Sequence, residues 1–154
     1  IITKGMGITL VSMFAHDDAT DSFENFAIPY FQMGSTAASM VSSLEKLSDP
    51  LDGSAYSTTD LTISSVQIQG ATGLQDVVAL NPAYMLRSAY NKITYSVTLD
   101  ESTANGVDIA EVGLFSKNPY IKDPPVSFLC AYRSFAAIPK RESYTLIFNW
   151  TIEF

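Results

Sequence analysis

Few side chains in this 154-residue chain are of a type that does chemistry, and they stand apart from one another. His16, Asp17 and Asp18 are adjacent and could hold a metal or form an acid–base pair. His16 is the only histidine, and it directly precedes the acidic run DDATDSFEN without further ligands, so a solvated turn accounts for it. Cys130 is the only cysteine, which excludes a disulfide framework and a cysteine zinc site within the chain. It lies 114 positions from the histidine and in the phase of Phe128 and Tyr132, which predicts a small buried core residue rather than a nucleophile. Asp100 and Glu101 are neighbouring carboxylates, but adjacent strand residues point to opposite faces, so they do not make a glycosidase pair. Gly5-Met6-Gly7 lacks the preceding strand and third glycine of a phosphate loop, and no serine has nucleophile-elbow surroundings. Glu111 is the one charge inside the otherwise apolar run VDIAEVGLF. It reads as a buried acid, or as a carboxylate bonded to loop amides or paired with Arg133 or Lys140. The residues therefore point to a non-enzyme with no required metal or cofactor.

The elements that hold these residues are mostly strands. In SYTLIFNWTIEF, residues 143–154, every second residue from Tyr144 to Phe154 is apolar, the period of a strand with one buried face. Phe148 and Trp150 are the expected core anchors of that face. The same alternation runs through Ile93, Tyr95, Val97 and Leu99. Asn105-Gly106 is a turn signal leading to a strand at 107–115. A strand at 126–138 and a turn at Pro139-Lys140-Arg141 complete a predicted four-strand meander over 91–154. Upstream, 3–16 reads as a short helix and 26–34 as a strand that Pro29 confines to an edge or irregular run. Met40, Leu44 and Leu47 predict a second short helix or helical turn, stopped by Asp49-Pro50. LTISSVQIQ, 61–69, changes its apolar phase between Ile63 and Val66, which predicts a β-bulge, and 70–90 reads as a long crossover. Six or more strands suffice for two packed sheets. The fold class is thus mainly β: one antiparallel β-sandwich domain spanning 1–154, with one or two short helices in the N-terminal half.

Composition narrows the partner. The net charge of −7 and nine scattered basic residues argue against nucleic acid. No apolar run reaches 18 residues, no signal peptide is visible, and a start at Ile1 suggests a processed or missing N-terminus. Only 16% of residues are charged, against about a quarter in ordinary domains, and a surface so poor in charge suits contact with other protein.

Four pieces, in order, add a resemblance. ITKG at 2–5, IPYFQMGS at 28–35 and LEKLSDPL at 44–51 resemble the opening of tail-collar and tail-fibre attachment domains of bacteriophages. ITYSVTLDESTANGVDIAEVGLFSKNP, with its AEVGLF core at 110–115, resembles that family's paired strands. CAYRSFAAIPKRESYTLIFNWTIEF, 130–154, is similar to the endings of phage tail and baseplate proteins. The resemblance implies a virion structural subunit of the tail, baseplate, collar or fibre attachment, assembled in the bacterial host cytoplasm. Its partners would be other virion proteins and copies of itself, with no small-molecule substrate and no membrane. Because the sequence stops at Phe154 rather than running into a shaft, a baseplate, collar or adaptor subunit is expected rather than a receptor-binding fibre. The proline-rich loop SKNPYIKDPP (116–125) is the expected contact arm: Pro119, Pro124 and Pro125 stiffen it, and Tyr120 and Ile121 offer apolar contact. The competing expectation is a carbohydrate-binding β-sandwich using Tyr56, Tyr84, Tyr90 and Tyr120. A small hydrolase has no residues to support it.

Overall fold

The computed structural model describes residues 1–15, 22–56, 61–120 and 123–154. The predicted first helix forms as α1 (Lys4–Ala15). Eight strands follow: β1 (Tyr30–Gly34), β2 (Thr62–Gln67), β3 (Leu74–Ala79), β4 (Met85–Ala89), β5 (Lys92–Leu99), β6 (Asp108–Phe115), β7 (Leu129–Pro139) and β8 (Leu146–Glu153). They make a five-stranded sheet in the order β2-β3-β1-β6-β7 and a three-stranded sheet in the order β4-β5-β8, both antiparallel. The two sheets enclose one core. Phe31, Met33, Val78, Val112 and Leu114 come from the large sheet, and Tyr95, Val97, Leu99 and Ile152 from the small one. The chain is a mainly β sandwich, with one α-helix among the described residues, near its start.

The last four strands do not form the expected meander. β5 pairs with β8, from Lys92↔Glu153 to Leu99↔Leu146, while β6 pairs with β1 and β7. The reason is burial. Residues 109–115 of β6 are buried on both faces, so β6 needs the centre of a sheet covered on both sides. β5 and β8 alternate, which suits a sheet with one wet face. Between β5 and β8 the chain therefore crosses between sheets twice, at 100–107 and at 140–145. The expected Asn105-Gly106 hairpin is the end of a longer arch. Asp100 Oδ1 accepts hydrogen bonds from Ser102 and Thr103, and Gly106 takes φ of 81° where a side chain would be strained. Lys140 is fully buried and ties the two crossings together: Nζ donates to Asn105 Oδ1 (3.0 Å) and to the Arg141 carbonyl (2.9 Å), and lies over the Tyr144 ring.

The outer face of the large sheet carries a second cluster: Leu47, Ile68, Val77, Phe115, Leu129 and Tyr132. Residues 35–50 lie over it. Of the short helix or helical turn predicted from Met40, Leu44 and Leu47, no helix forms and a single turn does, with Leu44 N donating to Val41 O (3.1 Å). Ser35 N donates to Asp49 O and Lys4 N to Ser42 O, so this serine-rich segment spends its backbone groups on its neighbours. Met40 stays exposed, Leu47 is buried and Leu44 is half-buried.

This second cluster also corrects the predicted bulge in 61–69. β2 pairs with β3 in unbroken register from Thr62↔Ala79 to Gln67↔Leu74. Its apolar phase changes because Leu61 and Ile63 pack on the inter-sheet core, whereas Val66 and Ile68 pack on the outer cluster. The expected crossover at 70–90 contains β3 and β4. β3 escapes a period-two pattern because consecutive Val77 and Val78 are both buried, on opposite faces. The strand expected at 26–34 begins only at Tyr30, after Pro29, and Phe23–Phe26 form a 3-10 turn before it.

Candidate functional site

Glu111 lies on the outer face of the large sheet with no exposed surface. Its partners are neither Arg133 nor Lys140. The Asp49 amide donates to Oε1 (2.9 Å) and the Tyr132 hydroxyl to Oε2 (2.8 Å). The Ala38 amide in turn donates to the Tyr132 oxygen (2.8 Å). Burial, then the hydrogen bond to Glu111, pushes the Tyr132 phenol up to about 12. The group thus pins the overlying 35–50 segment at Ala38 and Asp49. Gly34 completes it, because a Cβ there would meet Asp49 O at 2.7 Å and the Glu111 carboxylate. Both carboxylate oxygens of this fully buried side chain are thus engaged in holding the overlying segment and Tyr132 in place.

The other reactive types are equally committed. Cys130 is buried beside Thr9 Oγ1 (3.7 Å), and desolvation pushes its thiol up, away from the thiolate. It is the extra residue of a bulge, since Leu114 pairs with Ala131 and Phe115 with Leu129. Consequently it faces the inter-sheet core while Tyr132 faces the outer cluster, and the two do not share a face as the spacing suggested. His16, Asp17 and Asp18 lie outside the described residues. Among the described residues no three His, Cys, Asp or Glu side chains come together as metal ligands, and no helix is long and apolar enough to cross a membrane.

The proline loop is partly bound into its own fold. Lys117 N donates to Ala27 O, Asn118 N to Asn25 O, and Lys117 Nζ pairs with Glu24 at 2.7 Å. Pro119 is buried, which removes it from the expected contact arm. The Tyr120 ring sits edge-on to Phe128 at 5.3 Å, and the side chain is 50% exposed. Pro124 and Pro125 are exposed, the Asp123–Pro124 peptide is cis, and Ile121 lies outside the described residues.

The tyrosines proposed for sugar stacking do not converge. Tyr56 is in the core, its oxygen accepting from Met33 N (3.1 Å), which excludes it. Tyr84 lines a cleft of about 500 Å³ with Asn81, Ser96, Thr98 and Asp100, but Asn81 Oδ1 is spent on the Ala83 amide and Asp100 Oδ1 on its own arch. Tyr90 is 89% exposed on the turn between β4 and β5.

What remains open is the side of the sandwich where β7 and β8 face each other. Phe135, Ile138, Phe148 and Trp150 line an apolar cleft of about 520 Å³, with Arg133 at its rim. Phe148 and Trp150, the expected core anchors, are half-buried and pack on the inter-sheet core from this edge. The Phe148 ring lies between Phe31 (5.6 Å) and Phe135 (6.2 Å). Comparison with known protein families, with curated proteins and with solved structures returns no match. The geometry of this edge and the residues of the sequence carry the functional reading.

Proposed function

We propose that the chain is a bacteriophage virion structural subunit, of the tail, baseplate, collar or fibre attachment, that works by protein–protein assembly and not by catalysis. The observation that carries the assembly part is the aromatic cleft at the open sandwich edge, Phe135, Phe148 and Trp150 beside exposed Ile147. Contiguous apolar surface of this kind marks interaction sites on folded proteins. The committed state of Glu111 and Cys130 supports the non-catalytic part. The ordered resemblance of ITKG, IPYFQMGS, AEVGLF and the closing strand supports the virion context. Carbohydrate binding is the weaker reading, because Tyr56 is core and the polar neighbours of Tyr84 hold turns together.

Mass spectrometry of gradient-purified phage particles encoding this sequence tests the reading. The chain should be present at a fixed stoichiometry, and in a reconstruction its contacts should bury on the order of 1,200 Å² or more. A chain confined to the soluble lysate fraction, with binding on a glycan array, would overturn it in favour of the sugar-binding module.

A further inference from the structure

The row of hydrogen-bonding groups on β8 specifies a partner more closely than its apolar cleft does. Phe154 N donates to Asn91 O. With the register of β5 and β8 this makes Ile93↔Ile152, Tyr95↔Trp150, Val97↔Phe148 and Leu99↔Leu146 the hydrogen-bonded pairs. The alternate pairs confirm the assignment through their close side chains: Thr94 and Thr151 hydroxyls touch at 2.8 Å, Ser96 donates to Asn149 (2.7 Å), and Lys92 pairs with Glu153 (3.0 Å). The N–H and C=O groups of Ile147, Asn149, Thr151 and Glu153 therefore point away from β5, out of the sheet edge.

Natural edges are shielded by bulges, prolines, charges or short length. Two of the other edges here are: β4 has five residues with a register shift and Arg87, and residues 1–3 pair with β7, which ends at Pro139. β2 is shorter than β8, with six residues and the polar Thr62, Ser64 and Ser65, and Ser127 joins the chain just past its end at Ile68. β8 has eight residues in unbroken register, no proline and one charge, Glu153, at its end.

We infer that β8 pairs antiparallel with β8 of a second copy about a two-fold axis at Asn149, joining the two small sheets into one of six strands. The sequence is self-complementary in that register. On the cleft side Phe148 meets Trp150 of the second copy and Leu146 meets Ile152, so aromatic and aliphatic pairs form across the axis. On the wet side Asn149 meets Asn149 and Ile147 meets Thr151. The charges also fit. Each Glu153, already paired with Lys92 of its own copy, faces uncharged Thr145 of the second copy, and the two Glu153 carboxylates are eight residues apart, roughly 27 Å at strand rise, well beyond a Debye length of about 8 Å. A two-residue shift one way sets Ile147 against Glu153, and a shift the other way shortens the overlap. An isologous contact of this kind closes on itself. It concerns the chain in solution, so it stands or falls separately from the virion reading.

Sedimentation of the full chain should give twice the chain mass at micromolar concentration. Ile147→Pro removes an outward N–H and leaves the β5 pairing untouched, so the variant should sediment as a monomer with unchanged circular dichroism. A second test reads the register. Asn149→Cys places two thiols across the axis, where the hydrogen-bonded Cα separation of about 5.5 Å suits a disulfide, and mild oxidation should cross-link it nearly completely. Ile147→Cys alone should not cross-link, whereas an equimolar mixture of Ile147→Cys and Thr151→Cys should. A monomeric wild type, or self-linking by Ile147→Cys in preference to Asn149→Cys, would overturn the proposal. If Ile147→Pro does not fold, the cysteine pattern still decides.

Discussion

Replacing Glu111 with alanine takes away the acceptor of the Asp49 amide, on the 35–50 segment, and that of the Tyr132 hydroxyl, which in turn holds Ala38. The Asp49 amide and the Tyr132 hydroxyl each lose a bond to a buried carboxylate. A hydrogen bond to a charged group contributes about 1.5–3 kcal/mol. Water can reach the part-buried Asp49 amide, so that loss falls at the low end, whereas the Tyr132 hydroxyl is enclosed. We expect Glu111→Ala to cost about 3–5 kcal/mol, a large share of the roughly 5–15 kcal/mol that holds a domain folded. Glu111→Gln keeps an acceptor for Asp49 and can donate to the Tyr132 oxygen, so about 1–2 kcal/mol is expected. Urea unfolding followed by circular dichroism measures both. Glu111→Ala should shift the midpoint strongly, and the exchange of the Ala38 and Asp49 amides should accelerate in both variants. A double-mutant cycle of Glu111→Gln with Tyr132→Phe should show coupling of about 1 kcal/mol or more. Should Glu111→Ala cost less than about 1 kcal/mol, or the cycle show no coupling, the carboxylate is not what pins the segment.

Three further outcomes are expected. Gly34→Ala forces a methyl against Asp49 O and the Glu111 carboxylate and should destabilise by about 1–3 kcal/mol in the same urea titration; a neutral effect would show that the segment can lift. Trp150→Ala should cost less than the roughly 3–5 kcal/mol of a fully buried aromatic, because the side chain is half-buried, and the variant should remain folded by near-ultraviolet dichroism. Burial holds the phenols of Tyr95 and Tyr132 up to about 12, against about 10 in an unfolded chain, so their contribution to stability is complete below pH 10 and is lost as the pH rises through 12. Absorbance at 295 nm should show these two phenolates appearing with unfolding, and Tyr95→Phe should remove part of that late rise.

The two-sheet architecture was legible because β5 and β8 alternate cleanly from Ile93 to Leu99 and from Leu146 to Ile152. Their pairing with each other was not, since a period of two reports a buried face and says nothing about the neighbour. β3 was hidden for the opposite reason: Val77 and Val78 serve two cores, which erases the alternation. Met40, Leu44 and Leu47 have helical spacing, yet Glu111, 62 residues from Asp49, decides how that segment lies. Glu111 itself stood out as a charge in an apolar strand, while its partners depended on tertiary contacts no local pattern records. Phe148 and Trp150 were visible as one face of a strand; that the strand is an unshielded edge follows only from the sheet order.

The double crossing between the sheets also bears on the order of events during synthesis. β5 leaves the ribosome with its apolar face, Tyr95, Val97 and Leu99, ready to pack, but its long partner is β8, 47 to 61 residues further along the chain. β4 alone gives it a short, bulged neighbour. The large sheet can assemble once β7 has emerged, yet one side of its core stays uncovered until residues 146–153 arrive. Pairings so distant in sequence form slowly, and an apolar face left waiting invites aggregation. Nascent chains arrested between β7 and β8 should therefore recruit chaperones, and completion of the last strand should release them.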